Sequence, residues 1–142
     1  MKKLDKLILS AALTGAATNR KNCAAIPYTP QEIAFEAKRA VDAGASIVHI
    51  HARENDGTPC WRLEVFQEIH LEVRRLCKDV IINYSTGALD KTKEERLNHI
   101  SMIKPDMAAF NAGSMNYAIY SEKHKQFYLN GVFENSFSTM EY

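Results

Sequence analysis

The chain of 142 residues lacks the features that mark several classes of protein. Its formal net charge is only +1, so no basic surface indicates nucleic acid as a partner. No apolar run approaches the ~20 residues that a transmembrane helix needs, which argues against a membrane partner. The basic start is followed by an apolar stretch too short and too broken by small residues to predict a signal peptide.

Cysteine is also scarce, and its spacing is uninformative for metal binding. Cys23, Cys60 and Cys77 are an odd number, lie far apart and form no Cys-x-x-Cys pair. A disulfide framework and a cysteine-ligated zinc site are therefore not expected. Reduced thiols are typical of a reducing compartment, and the sequence predicts a cytoplasmic protein.

What the chain does have is a regular alternation of strand and helix signals. Strands are predicted over residues 6–13, 46–51, 80–85 and 106–111, and helices over 30–43, 62–77 and 92–103. Thr29 and Glu32 form a capping box around Pro30, and Thr92 and Glu95 form a second one. Strands that alternate with helices predict parallel βαβ units and an α/β fold.

The last part of the chain follows a different pattern. Residues 127–133 predict a hairpin that turns at Asn130 and Gly131, with an irregular loop as the alternative. Ser138 and Glu141 then form a third capping box, just before the sequence stops. We therefore expect residues 1–142 to be a single partial domain, truncated at its C-terminus.

Two histidines at the end of the second strand are the most informative feature. Side chains at positions i and i+2 of a strand share one face, so His49 and His51 should project side by side. Two neighbouring imidazoles can hold a divalent metal such as zinc. An isolated pair of this kind is as often structural, however, and a catalytic zinc usually needs a third protein ligand.

Other strand ends also carry polar or small residues. Ser85, Thr86 and Gly87 follow the third strand, and Asn111 follows the fourth. In α/β folds, ligands bind at the carboxyl ends of the strands. By default, however, each segment is an ordinary turn that ends a strand. Arg53 is either a ligand for a carboxylate or phosphate or a solvated loop residue.

Four segments together resemble the β-keto acid cleavage enzymes, whose best-known member is the 3-keto-5-aminohexanoate cleavage enzyme of lysine fermentation. They are Leu-Ser-Ala-Ala-Leu-Thr-Gly-Ala at 9–16, Val-His-Ile-His-Ala-Arg at 48–53, Asn-Tyr-Ser-Thr-Gly at 83–87 and Met-Ala-Ala-Phe-Asn-Ala-Gly at 107–113. The resemblance implies the (β/α)8 TIM-barrel family, of which the chain would supply about the first four β/α units. It also implies a homo-oligomer, a bound zinc ion, and a reaction of a β-keto acid with acetyl-CoA that gives acetoacetate and a CoA ester.

The resemblance also implies roles for individual residues. His49 and His51 match two zinc ligands, and Ser85 and Asn111 match positions at the substrate, with Thr86, Gly87 and Arg53 as further candidates for substrate binding. The third zinc ligand and the proton-transfer groups would come from later strands, which the sequence does not supply.

Two departures from the aminohexanoate enzyme concern the substrate. Ala17 stands where that enzyme has an acidic residue for the substrate amino group, and Ala109 replaces a threonine that contacts the substrate. A methyl group cannot replace a charge-assisted hydrogen bond, so a substrate without an amino group is favoured. Two alternatives stay open: an inactive fragment or half-barrel that needs a partner chain, and a metal-dependent TIM-barrel hydrolase.

Overall fold

The computed structural model describes residues 6–88, 90–133 and 135–136. They divide into two compact units. The sheet unit contains the residues up to Ser85 together with Asn98–Ala108, and the hairpin unit contains Thr86–Leu97 and the residues from Ala109 onward. Whether residues 1–142 form one partial domain stays a prediction.

The sheet unit is built on four parallel strands in the order in which they occur along the chain. They are β1 (Ser10–Ala12), β2 (Ile47–Ile50), β3 (Ile81–Tyr84) and β4 (Met107–Ala108). Helices α1 (Pro30–Asp42), α2 (Leu63–Leu76) and α3 (Lys93–Ile103) connect them. The predicted alternation is confirmed, although β1 and β4 are shorter than the predicted residues 6–13 and 106–111.

Local signals in the sequence set where two of the helices begin. The Glu32 amide donates a hydrogen bond to Thr29 Oγ1 at 3.2 Å, and the Thr29 amide donates to Glu32 Oε2 at 3.0 Å. Thr92 and Glu95 make the same reciprocal pair at the start of α3. Both predicted capping boxes are therefore present, and each satisfies amides that the first helical turn leaves without partners.

The core lies between the sheet and the helices. Ile33, Ala34 and Ala37 of α1 and Phe66, Ile69 and Val73 of α2 pack with Val48, Ile50, Ile82 and Tyr84 of the central strands. Full burial of a large apolar side chain stabilises the fold by about 1.5–3 kcal/mol. Since side chains alternate along a strand, His49 and Asn83 are left on the other face of the sheet.

The hairpin unit corrects the prediction for the tail. Strands β5 (Met115–Ser121) and β6 (Gln126–Phe133) pair antiparallel, and the turn between them lies at residues 122–125. The predicted turn at Asn130 and Gly131 is wrong, because both residues are paired within β6. A turn there would leave two short arms, whereas the observed register pairs all seven residues of β5. The predicted capping box at residues 138–141 lies outside the described residues.

Two further expectations concern cysteine and the membrane. Cys23, Cys60 and Cys77 are all free thiols, with Cys60 and Cys77 buried. Among the described residues, none of the helices combines the length and the apolar character that would let it cross a bilayer.

One histidine of α3 belongs to the core. His99 is only 1% exposed, and its ring stacks on Phe66 with centroids 3.9 Å apart. Its Nε2 lies 3.2 Å from the Ser85 carbonyl oxygen. Burial lowers the pKa of His99 from 6.5 to about 4, and the hydrogen bond to Ser85 acts in the opposite direction.

This shift predicts that the protein loses stability in mild acid. Between pH 6.5 and about 4 the unfolded chain binds a proton that folded His99 does not, so the free energy of unfolding falls as the pH falls. The loss has an upper limit of about 3–4 kcal/mol, since each pKa unit corresponds to about 1.4 kcal/mol. Urea unfolding of the wild type and His99→Gln at pH 7, 6 and 5 measures it, and the variant should show a smaller loss. Equal pH dependence in both proteins would contradict this account.

Candidate metal centre

The end of β2 brings the two predicted histidines together. Their Nε2 atoms lie 3.2 Å apart, their ring centroids are 5.0 Å apart, and the rings are inclined at 79°. Both side chains are half-buried. Without an ion, this contact is a hydrogen bond only if one neutral ring donates from Nε2 and the other accepts at Nε2.

The spacing of the two nitrogens also fits a shared metal ion. Around a tetrahedral zinc with bonds of about 2.0–2.1 Å, two ligand nitrogens are about 3.3 Å apart. The observed 3.2 Å is within a small ring movement of this value. The pair is therefore compatible with two ligands of one zinc ion.

Both imidazoles are held in the neutral form that binds metal. Burial lowers the pKa of His49, and Asn83 acts in the opposite direction. The pKa of His51 falls from 6.5 to about 4, because of burial first and then the neighbouring His49 and the Arg53 cation. A proton therefore competes poorly with a metal ion at neutral pH.

A third strong ligand is not found beside the pair. Within the described part of the chain, no group of three or more His, Cys, Asp or Glu side chains could hold a metal ion. Asn83 is the register partner of His49, and its Oδ1 is buried without a hydrogen bond of ordinary geometry. Asn83 is not among the predicted site residues, although it lies two residues before Ser85 and so shares its strand face.

Arg53 is not solvated, and no acid among the described residues pairs with it. It is 4% exposed, and it donates hydrogen bonds to the carbonyl oxygens of Gly57 at 2.7 Å, Gly15 at 2.6 Å and Thr14 at 3.2 Å. Thr14 in turn accepts the His51 amide at Oγ1, 2.8 Å away. The structure thus contradicts the solvated-loop interpretation, and a direct contact of Arg53 with substrate stays a prediction.

The other predicted residues fall in different units. Ser85 belongs to the sheet unit and is buried; its amide donates to the Ile50 carbonyl at 3.2 Å. Thr86, Gly87 and Asn111 belong to the hairpin unit. There Thr86 Oγ1 donates to the Ala109 carbonyl at 2.7 Å, and the Asn111 carbonyl accepts from the side-chain Nδ2 of Asn135. Substrate binding by these residues stays a prediction.

The sequence of the whole chain fits one family. The sequence model described as beta-keto acid cleavage enzyme matches residues 6–142. The chain therefore belongs to the β-keto acid cleavage enzyme family, as the four segments predicted.

Individual relatives differ in the substrate that their names give. The 3-keto-5-aminohexanoate cleavage enzyme of Acetoanaerobium sticklandii is 44% identical over 115 residues, which cover 80% of this chain and 42% of that protein. The 3,5-dioxohexanoate:acetyl-CoA acetone transferase of Paraburkholderia graminis is 35% identical over 152 aligned positions, which cover 96% of this chain and 49% of that protein. The chain thus spans less than half the length of these relatives.

Solved structures agree on the fold. The binary complex of ObcA with oxaloacetate matches with a TM-score of 0.64 and 19% identity, covering 82% of this chain and 28% of that one. The predicted fold class, part of an α/β barrel of the TIM type, is thereby confirmed.

The geometry predicts a metal site of low affinity that depends on both histidines. Co²⁺ or Zn²⁺ should bind the purified chain with low affinity, because the described residues place only two strong ligands together. His49→Ala and His51→Ala should each weaken binding by at least about tenfold. Titration followed by calorimetry and by the visible spectrum of Co²⁺ measures both effects.

His124→Ala is the matched control, because His124 is exposed on the hairpin unit. It should leave the affinity unchanged. If all three variants bound Co²⁺ as the wild type does, the metal would not be held by the pair.

Proposed function

We propose that this chain carries the zinc-binding strand ends of an enzyme that cleaves a β-keto acid with acetyl-CoA, giving acetoacetate and a CoA ester. The observation that carries the proposal is the 3.2 Å approach of the His49 and His51 Nε2 atoms in a member of this family. Three of the relatives are named for reactions with acetyl-CoA. Family membership also favours this function over a metal-dependent hydrolase.

In this proposal the chain contributes binding and orientation. His49 and His51 hold the zinc ion through neutral imidazole nitrogens, and Thr14 fixes the backbone beside His51. When bound, zinc is a Lewis acid that stabilises negative charge developing on the keto oxygen. Substrate positioning falls to residues at the strand ends: Ser85, Thr86, Gly87, Asn111 and Arg53. No residue of this chain is assigned the proton transfer.

The acyl substrate is proposed to lack an amino group. Ala17 is exposed in the loop after β1 and offers no carboxylate to an ammonium ion. The named substrates of the relatives from Paraburkholderia graminis and Cupriavidus necator, 3,5-dioxohexanoate and 3-oxoadipate, carry no amino group. The proposal includes a cytoplasmic location and a homo-oligomer, with neither nucleic acid nor membrane as partner.

Activity is tested in two forms of the protein. The 142-residue chain alone should form no acetoacetate, because it shows no third ligand among its described residues. A chimera, in which this chain replaces the matching segment of the Acetoanaerobium sticklandii enzyme, should form acetoacetate from acetyl-CoA and at least one of a panel of β-keto acids. His51→Ala in the chimera should lower kcat/KM by more than about 100-fold, since a lost ligand costs more than a lost supporting contact.

Circular dichroism and zinc content separate a misfolded chimera from an inactive one. A folded chimera with bound zinc and no turnover of any β-keto acid would contradict the proposed function. Normal turnover by the chain alone, with one tightly held zinc, would show that a third ligand comes from this chain or from a second copy of it.

Substrate preference depends on the charge at position 17. In an active chimera, Ala17→Glu should raise kcat/KM for an amino-bearing β-keto acid relative to a neutral analogue by at least about tenfold, since a charge-assisted hydrogen bond is worth about 1.5–3 kcal/mol. Ala17→Gln introduces a side chain of the same size as glutamate but without its charge, and should change this ratio much less. Equal ratios in all three proteins would show that another position decides the preference.

A further inference from the structure

Arg53 is a buried cation whose hydrogen bonds go to the backbone of two loops. Its Nη1 donates to the Gly57 carbonyl at 2.7 Å, in the loop after β2. Its Nη2 donates to the carbonyls of Gly15 at 2.6 Å and Thr14 at 3.2 Å, in the loop after β1. No ion pair of the described residues involves Arg53. A buried charge needs compensation, and here carbonyl dipoles supply it.

Thr14 connects this group to the histidine pair. It is 3% exposed, its carbonyl accepts from Arg53, and its Oγ1 accepts the His51 amide at 2.8 Å. Just before it, the Leu13 amide donates to the His49 carbonyl at 3.1 Å. The loop after β1 is thus attached to the backbone of both histidines, and Arg53 fixes the point at which that loop turns away.

The contacts demand the shape of arginine as well as its charge. The two Nη atoms of the planar guanidinium reach carbonyls on different loops at the same time. A lysine ammonium is a single point on a flexible stem and cannot reproduce this fork. These contacts use three of the five guanidinium N–H donors, and Nε is buried without a hydrogen-bond partner among the described residues.

We propose that Arg53 is a positioning residue: it clamps the loops after β1 and β2 together and so holds the His51 end of β2 in the geometry that brings the two imidazoles together. Its effect on a bound metal rests on the proposed function. The clamp itself does not, and it can be measured without metal.

Amide hydrogen exchange of the metal-free chain tests the clamp. Arg53→Met removes both the charge and the planar guanidinium, whereas Arg53→Lys keeps the charge and removes only the guanidinium. The quantity compared is the ratio of the His51 amide exchange rate to the mean exchange rate of the α2 amides. In both variants this ratio should rise at least tenfold. An unchanged ratio in Arg53→Met would overturn the proposal, and a wild-type ratio in Arg53→Lys would overturn the requirement for the fork. If Arg53→Met does not fold, Arg53→Lys decides.

Arg74→Met is the matched control. Arg74 donates to the Val80 carbonyl at 2.6 Å and pairs with Asp106, at the opposite ends of the strands. Its loss removes a comparable arginine-to-backbone bond but should leave the His51 ratio within twofold of the wild type. If the ratio rose as much as in Arg53→Met, overall destabilisation of the fold would explain the faster exchange of the His51 amide. That result would overturn the proposal.

Co²⁺ titration of the same proteins tests the consequence for the metal. Arg53→Met should bind Co²⁺ at least tenfold more weakly, the effect expected when a supporting contact of a metal ligand is lost, and Arg74→Met should bind as the wild type does. Equal affinity in Arg53→Met would overturn the effect on the metal site. If the wild type binds no Co²⁺, the proposed function fails, and hydrogen exchange still decides the clamp.

Discussion

The central constraint is the alternation of side chains along β2, which is paired on both sides by parallel strands. One face carries Val48 and Ile50 into the core, and the other carries His49 and His51 to the strand end. Side chains of a strand alternate between its two faces, so shifting the pairing of β2 by one residue would exchange these faces. The apolar contacts that stabilise the fold therefore also fix the orientation of the histidines.

The loops beyond the strand ends are organised by close packing as much as by hydrogen bonds. Tyr28 is buried, and its hydroxyl accepts the Arg20 amide at 2.8 Å. A Cβ added at Gly57, whose φ is +89°, would overlap the Tyr28 ring. Glycine at this position lets the loop after β2 approach Tyr28 closely, on the same loop that Arg53 contacts. Two contacts thus join the loops: the Tyr28 ring packs on the Gly57 backbone, and the Arg53 guanidinium bonds to carbonyls of both loops.

The candidate metal centre and the position proposed to affect substrate choice lie in different surroundings. The histidine pair, Asn83 and Thr14 lie on or directly beside paired strands, where the sheet defines their positions. Ala17 lies in an exposed loop, where a substitution has little effect on packing. A loop position of this kind can therefore change without disturbing the strand ends.

The sequence by itself determined what depends on neighbours along the chain. Capping boxes fixed the starts of α1 and α3, alternation of strands and helices fixed the parallel α/β fold, and i,i+2 spacing brought His49 and His51 to one face. The Asn130–Gly131 signal failed because a longer strand ladder outweighed local turn preference. Only the tertiary structure decided the environments of Arg53, Asn83 and His99. Key partners are distant in sequence: Thr14 is 39 residues from Arg53, Phe66 is 33 residues from His99, and His49 faces Asn83 from a neighbouring strand. Burial also depends on what packs around a side chain and not on its own sequence.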